Sequence, residues 1–122
     1  MSIAVDDIVG EVFSTSSAPQ GDRVVVQLVG CLDMETAPLL KHYLSQLSPS
    51  AESGELCEFE FNIEQLYLLS SSAISCLATW LKALKAIEHV RRVRFVTNAN
   101  LGWQRRSLDP LRRLAEKLVA VD

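Results

Sequence analysis

The sequence predicts an α/β fold, a mixed sheet of about four strands with about three helices packed mainly on one face, in a single domain over residues 1–122. Three observations point there. Two β-branched segments near the start flank a breaker-rich stretch. Beyond them, helix-period and strand-period segments alternate. The best-defined strand has one apolar face and one polar face. At 122 residues the chain suits one modest core rather than two.

"IVGEVFS" (8–14) and "RVVVQLVGCL" (23–32) are rich in β-branched side chains and read as strands. "TSSAPQGD" between them carries the Pro and Gly of a turn, so the pair reads as a hairpin. In "LDMETAPLLKHYLSQL", Ala37, Leu40, Leu44 and Leu47 recur at steps of three and four, one helical face. Pro38 belongs in that helix's first turn, where its missing N–H is harmless, which sets the start near Thr36. "SPSAESGE" (48–55) reads as a polar loop.

"LCEFEFNI" sets Cys57, Phe59, Phe61 and Ile63 against Glu58, Glu60 and Asn62, a strand with one dry and one wet face. A second helix is expected from about Ser71 to Ile87, with a stripe of Ile74, Leu77, Leu81, Leu84 and Ile87 widened by Trp80. "RVRFVT" reads as another strand. "SLDPLRRLAEKL" reads as a third helix, with Ser107 as N-cap, Pro110 in the first turn, and Leu108, Leu111, Leu114 and Leu118 inward. The resulting order, β-β-α-β-α-β-α, implies right-handed crossovers within a mixed sheet.

Composition narrows the class. With 48% hydrophobic and 22% charged residues the chain is globular rather than disordered. "MSIAVDDIVG" has neither a basic nor an apolar leader region, and no apolar run approaches a membrane span. Cys31, Cys57 and Cys76 are odd in number, far apart and set in apolar runs, which suits reduced core thiols in a cytoplasmic protein. His42 and His89 share no metal-ligand spacing with them and read as solvated helix residues; no metal and no cofactor are expected.

The net charge of −3 hides an asymmetry: residues 1–81 carry two Lys/Arg against eleven carboxylates, a balance of −9, and residues 82–122 carry ten against four, a balance of +6. A basic surface for nucleic acid is one reading. The cations are interleaved with leucines at helical spacing and no aromatic stacking series accompanies them, so an outer helix face is the better reading and no nucleic-acid partner is expected.

The chain shows no catalytic constellation. Neither histidine is placed to serve a serine, and neither G-x-x-x-x-G-K-[ST] nor G-x-G-x-x-G occurs. Glu58 and Glu60 share a strand face, which a solvated surface explains as well as paired catalytic carboxylates do. One short stretch stands out. Ser70, Ser71 and Ser72 fall where an apolar segment meets a helix start. One serine there is an N-cap. The same unpaired N–H groups and positive helix end also suit an added phosphate, bringing about −1.5 to −2 charges. Both readings stay open on sequence alone.

Two motifs resemble those of the STAS domain, typified by bacterial anti-sigma factor antagonists. "GCLDMETAPLLKHYL" matches a G-x-L-D-x-x-T/S-A pattern at Gly30, Leu32, Asp33, Thr36 and Ala37. Asn62 stands eight residues before Ser70, and "NIEQLYLLSSSA" follows the family's apolar pattern through Leu66, Leu68 and Leu69 into the position of its D-S-S-G or D-S-T-G motif. Ser70 replaces the family's acid and Ala73 its glycine. "TNANLGWQRRSLDPL" departs from the usual loop, leaving Trp103 as either a core anchor or an exposed partner contact.

The resemblance implies a STAS-like single domain and a non-enzymatic regulatory module. Its partners would be a serine kinase doubling as anti-sigma factor, of the histidine-kinase-like ATPase type, and a phosphatase. Carried over residue by residue, the phosphoacceptor is Ser71, and the partner surface includes Asp33, Thr36, Ser70, Ser71, Ser72 and Ala73. An alternative implied class is a constitutively binding STAS subunit of a larger complex, such as a bacterial lipid-transport ATPase. The oligomeric state is left open.

Overall fold

The computed structural model describes residues 6–122; residues 1–5, read for a leader sequence, lie outside the described residues. The elements run β1 (Phe13–Gln20), β2 (Arg23–Leu32), α1 (Ala37–Glu52), β3 (Glu58–Asn62), β4 (Leu66–Leu69), α2 (Ser71–Lys85), β5 (Arg92–Val96), α3 (Trp103–Leu114) and β6 (Val119–Val121). They form one mixed sheet in the order β1-β2-β3-β5-β6, with β4 pairing the far half of β2. Only β1 and β2 are antiparallel; the other pairs are parallel, each reached through a helix as parallel neighbours require.

The α/β class, the hairpin and the three helices agree with the sequence reading. Among the described residues the sheet has six strands rather than about four. β4 and β6, of four and three residues, are too short to show a period, and pairing with longer neighbours fixes them. The first strand also lies later than expected. Residues 8–12 are not strand; the serine-rich "FSTSSAPQ" pairs with β2 in full register. Its position decides this: at the sheet edge, strand formation follows from the apolar partner, and Pro19 is tolerated. The turn tightens to Gly21 and Asp22, with Gly21 at φ 65°.

Two helix ends also shift. α1 begins at Ala37 after Thr36, as expected, but continues through Pro49 because Leu47, Ser50 and Ala51 stay in phase with the core. Pro49 removes one N–H near the end of α1, and Gly54 at φ 85° closes the helix. α3 begins at Trp103 after Gly102, not at Ser107, so Pro110 lies inside it. Gln104, Leu108 and Leu111 share its buried face, and that anchoring outweighs the proline. Leu118 is buried in the turn beyond the helix.

The helices cover one sheet face. Trp80 of α2 meets Phe59 and Phe61 edge-on at 5.2 and 5.6 Å, and Phe61 stacks on Phe95 at 5.5 Å. Burying such aromatics supplies both area and fixed geometry. The opposite face is an ion-pair lattice. Glu60 bridges Arg23 (3.7 Å) and Arg94 (3.2 Å), Arg94 also meets Asp122, and Arg91 bridges Asp22 (2.8 Å) and Glu58 (3.9 Å). The parallel register sets Glu58 beside Arg92 and Glu60 beside Arg94. Part of the charge asymmetry therefore neutralises itself across the strands, and Glu58 and Glu60 are ion-pair partners. His42 is exposed on α1; His89 lies in the α2–β5 connection rather than on a helix, donating to the Ala51 carbonyl.

Candidate functional site

The motif residues gather where β2 ends and α1 and α2 begin. Gly30 opens the approach. Its φ is 104°, and a Cβ there would fall 2.1 Å from the Val12 carbonyl oxygen, so the strand irregularity between Gly30 and Cys31 admits only glycine. Asp33 then turns the chain. Its Oδ1 accepts from the N–H groups of Glu35 and Thr36, both at 2.9 Å, while its own N–H donates to Thr36 Oγ1 at 2.8 Å. These donors, the Thr36 N–H foremost, hold the Asp33 carboxyl below the usual carboxylate range.

Ser70 is the cap of α2. With ψ of 163° it lies outside the helix, and its Oγ accepts from the Ala73 N–H at 3.2 Å. Its own N–H donates to the Leu32 carbonyl at 2.8 Å, bolting the start of α2 to the end of β2 beside Asp33. The Cys76 thiol, 3.8 Å from the Ala37 carbonyl, joins the second turn of α2 to the start of α1. Asp33, Thr36 and Ser70 to Ala73 therefore occupy one end of the molecule.

They do not all reach the surface. Thr36 and Ala73 are buried, Asp33, Ser70 and Ser72 are half-buried, and Ser71 is exposed. Ser71 is the first helical residue, and no side-chain hydrogen bond engages its hydroxyl among the described residues. Neither its N–H nor that of Ser72 has an intrahelical acceptor, and the first turn of α2 carries no carboxylate. The three serines thus divide: Ser70 caps, Ser71 faces solvent, Ser72 is half-covered.

An apolar surface adjoins them that sequence reasoning missed. Met34 (76% exposed), Leu39 (47%), Tyr67 (62%) and Leu68 (45%) sit in the Asp33 turn, the first turn of α1, and β4. β4 pairs Leu68 with Cys31, which places this group at the same end as Ser71. Leu39 was legible as a leucine one position off the Leu40–Leu44–Leu47 stripe. Gln104 was missed too. Fully buried, it donates from Nε2 to the carbonyls of Ile63 (2.7 Å) and Leu66 (2.8 Å) and accepts from the Asn98 N–H (2.8 Å), pinning the bend that presents Tyr67 and Leu68. Its i, i+4 spacing to Leu108 was the signal. Trp103 is half-buried against the core, which answers the core-anchor alternative.

No family model matches this chain, and no curated protein matches it in sequence. Solved structures do. An anti-sigma factor antagonist from Mycobacterium paratuberculosis superposes with a TM-score of 0.63 at 17% identity, covering 86% of this chain and 84% of that one. The anti-sigma factor antagonist SpoIIAA in its unphosphorylated form gives 0.62 at 17%, covering 91% and 88%. The fold is SpoIIAA-like. The phosphorylated form of the Bacillus cell fate determinant SpoIIAA gives 0.61 at 18%, covering 91% of each chain. Among the described residues, no group of three His, Cys, Asp or Glu side chains is placed to hold a metal, and no helix is long and apolar enough to cross a membrane.

Proposed function

We propose that this chain is a non-enzymatic, cytoplasmic protein-binding module of the anti-sigma factor antagonist type, a partner switch controlled by phosphorylation of Ser71. The observation that carries this is the exposed, unengaged Ser71 hydroxyl at the α2 N-terminus, beside the apolar Met34, Leu39, Tyr67 and Leu68. An exposed apolar group rimmed by polar residues marks a docking surface. The shared fold with SpoIIAA, described in phosphorylated and unphosphorylated forms, supports the same reading.

The mechanism is electrostatic. In the unmodified state the surface around Ser71 is apolar and hydroxyl-bearing, and it desolvates readily against a partner. A phosphate on Ser71 brings about −1.5 to −2 charges, held by the free N–H groups and positive end of α2. Docking must then strip water from that charge and place it beside Asp33, so the partner is released. The partner class is a serine kinase of the histidine-kinase-like ATPase type that doubles as anti-sigma factor, with a phosphatase to reset the switch.

A second reading has its own observation. Ser70, a neutral cap, stands where the family's switch carries an acid, so phosphate transfer lacks the neighbouring carboxylate. A constitutively binding STAS subunit of a larger complex, such as a lipid-transport ATPase, would need none. Binding of Ser71→Asp and Ser71→Ala variants to a captured kinase-type partner separates the two. The switch predicts loss of binding for Ser71→Asp, at least tenfold, with Ser71→Ala binding like the parent. Equal binding by both supports the constitutive subunit and rejects the switch.

A further inference from the structure

A second site lies between α1 and α2, away from the sheet. It is a cavity of about 430 Å³, within the size range of small-molecule sites. Its apolar lining comes from Leu44, Cys76 and Trp80, with Lys41 of α1 and Ser75 and Thr79 of α2 around the mouth. No carboxylate lines it, and Lys41 makes no ion pair among the described residues. The Ser75 and Thr79 hydroxyls, one helical turn apart, make no hydrogen bond among the described residues, in contrast to Ser48, which accepts from the Trp80 indole N–H at 3.2 Å. A lone cation and two free hydroxyls above an indole-lined apolar floor are complementary to one ligand chemistry.

We infer that this groove binds a small amphipathic monoanion, an aromatic or alkyl carboxylate or sulfonate. Its apolar body lies against Trp80, Leu44 and Cys76, and its anionic group is held by Lys41, Ser75 and Thr79. The charge-assisted contact gives orientation and the apolar floor gives most of the affinity. A neutral apolar molecule would leave Lys41 unused, and a cationic one would be repelled by it. The cavity's size suits a small ligand. Ser75 follows Ser71 by four residues on the same helix, so the occupant would sit one turn from the α2 N-terminus. The inference does not depend on Ser71 being modified.

The test uses the unmodified chain and needs no partner. The probe is 1-anilinonaphthalene-8-sulfonate, titrated against a Trp103→Phe variant so that Trp80 is the only tryptophan, excited at the red edge where tyrosine does not absorb. Saturable one-to-one energy transfer from Trp80 to the probe is expected, with amide shifts in the full native chain confined to residues 41–48 and 75–83. Lys41→Glu should weaken binding about tenfold, Lys41→Arg should retain it, and Lys85→Glu at the far end of α2 should leave it unchanged. N-phenyl-1-naphthylamine, the same body without the sulfonate, should bind at least tenfold more weakly. Absence of saturable transfer would overturn the site. So would shifts at Met34, Tyr67 and Leu68 instead, and equal affinity for the uncharged probe or for Lys41→Glu would overturn the anion assignment.

Discussion

Gly30 shows how one motif residue acts through backbone geometry alone. A Cβ at 2.1 Å from the Val12 carbonyl oxygen cannot be relieved by a rotamer, because the obstacle is main chain. Added to the strain of a φ near 104°, Gly30→Ala should destabilise the fold by about 3 kcal/mol or more, read from urea unfolding. A loss under 1 kcal/mol would mean the residue 8–12 segment moves aside freely. Asp33 acts by its side chain. Its carboxylate satisfies two turn N–H groups, so Asp33→Ala should lower the urea midpoint and Asp33→Asn should lower it less, since an amide oxygen still accepts. Ser70 and Ser71, adjacent in sequence, separate into structural and surface roles because only Ser70 has cap geometry.

At the scale of elements, Gln104 ties α3 to the β3–β4 bend. Replacing it with leucine takes this partner from the Leu66 carbonyl and the Asn98 N–H and leaves the Ile63 carbonyl with the Leu66 N–H alone. Gln104→Leu should therefore lose about 2–4 kcal/mol, and local hydrogen exchange at residues 63–69 should rise more than elsewhere. Uniform exchange would show that Gln104 stabilises the whole fold without specifically pinning the bend. The same element explains what the sequence revealed and what it hid. Elements whose own residues carry a clear apolar pattern, β2, β3 and α2, were legible nearly to the residue. The first strand, β4 and β6 were not, because their pairing depends on the strand beside them and not on their own residues. Pro49 and Pro110 misplaced the end of α1 and the start of α3, since burial of Ala51 and Gln104 holds the helical phase through each. At the site, the Gly30–Ala37 motif and the serine cluster were visible as patterns. Of the apolar surface beside them only Leu39 left a sign, one position off the α1 stripe; Met34, Tyr67 and Leu68 left none, because exposure is set by tertiary packing.

For the molecule as a whole, the two ends of the pH scale should act through different groups. Arg91 lowers the Asp22 carboxyl, the Thr36 N–H lowers Asp33, and Arg112 lowers Asp109. A carboxyl depressed in the folded state contributes stability above its ordinary value near 3.8, lost as pH falls through the folded value. The alkaline limb belongs to Tyr43. Its ring is buried in α1, and its hydroxyl donates to Asp7 Oδ1 at 3.3 Å, joining the segment before β1 to the helix layer. Burial is the main cause that pushes this phenol up to about 12 from 10, with the Asp7 charge acting in the same direction. A group raised in the folded state contributes stability that is present below pH 10 and lost as pH rises through about 12. Urea unfolding between pH 8 and 12 should show falling stability above pH 10. Tyr43→Phe removes the ionising oxygen while keeping the ring, so it should cost a hydrogen bond of about 1 kcal/mol at pH 8 and flatten the alkaline limb. An equally steep limb in the variant would mean that a group other than this buried phenol sets the alkaline weakness; the open-face lattice is not that group, since its carboxylate partners hold Arg91 and Arg94 charged throughout this range.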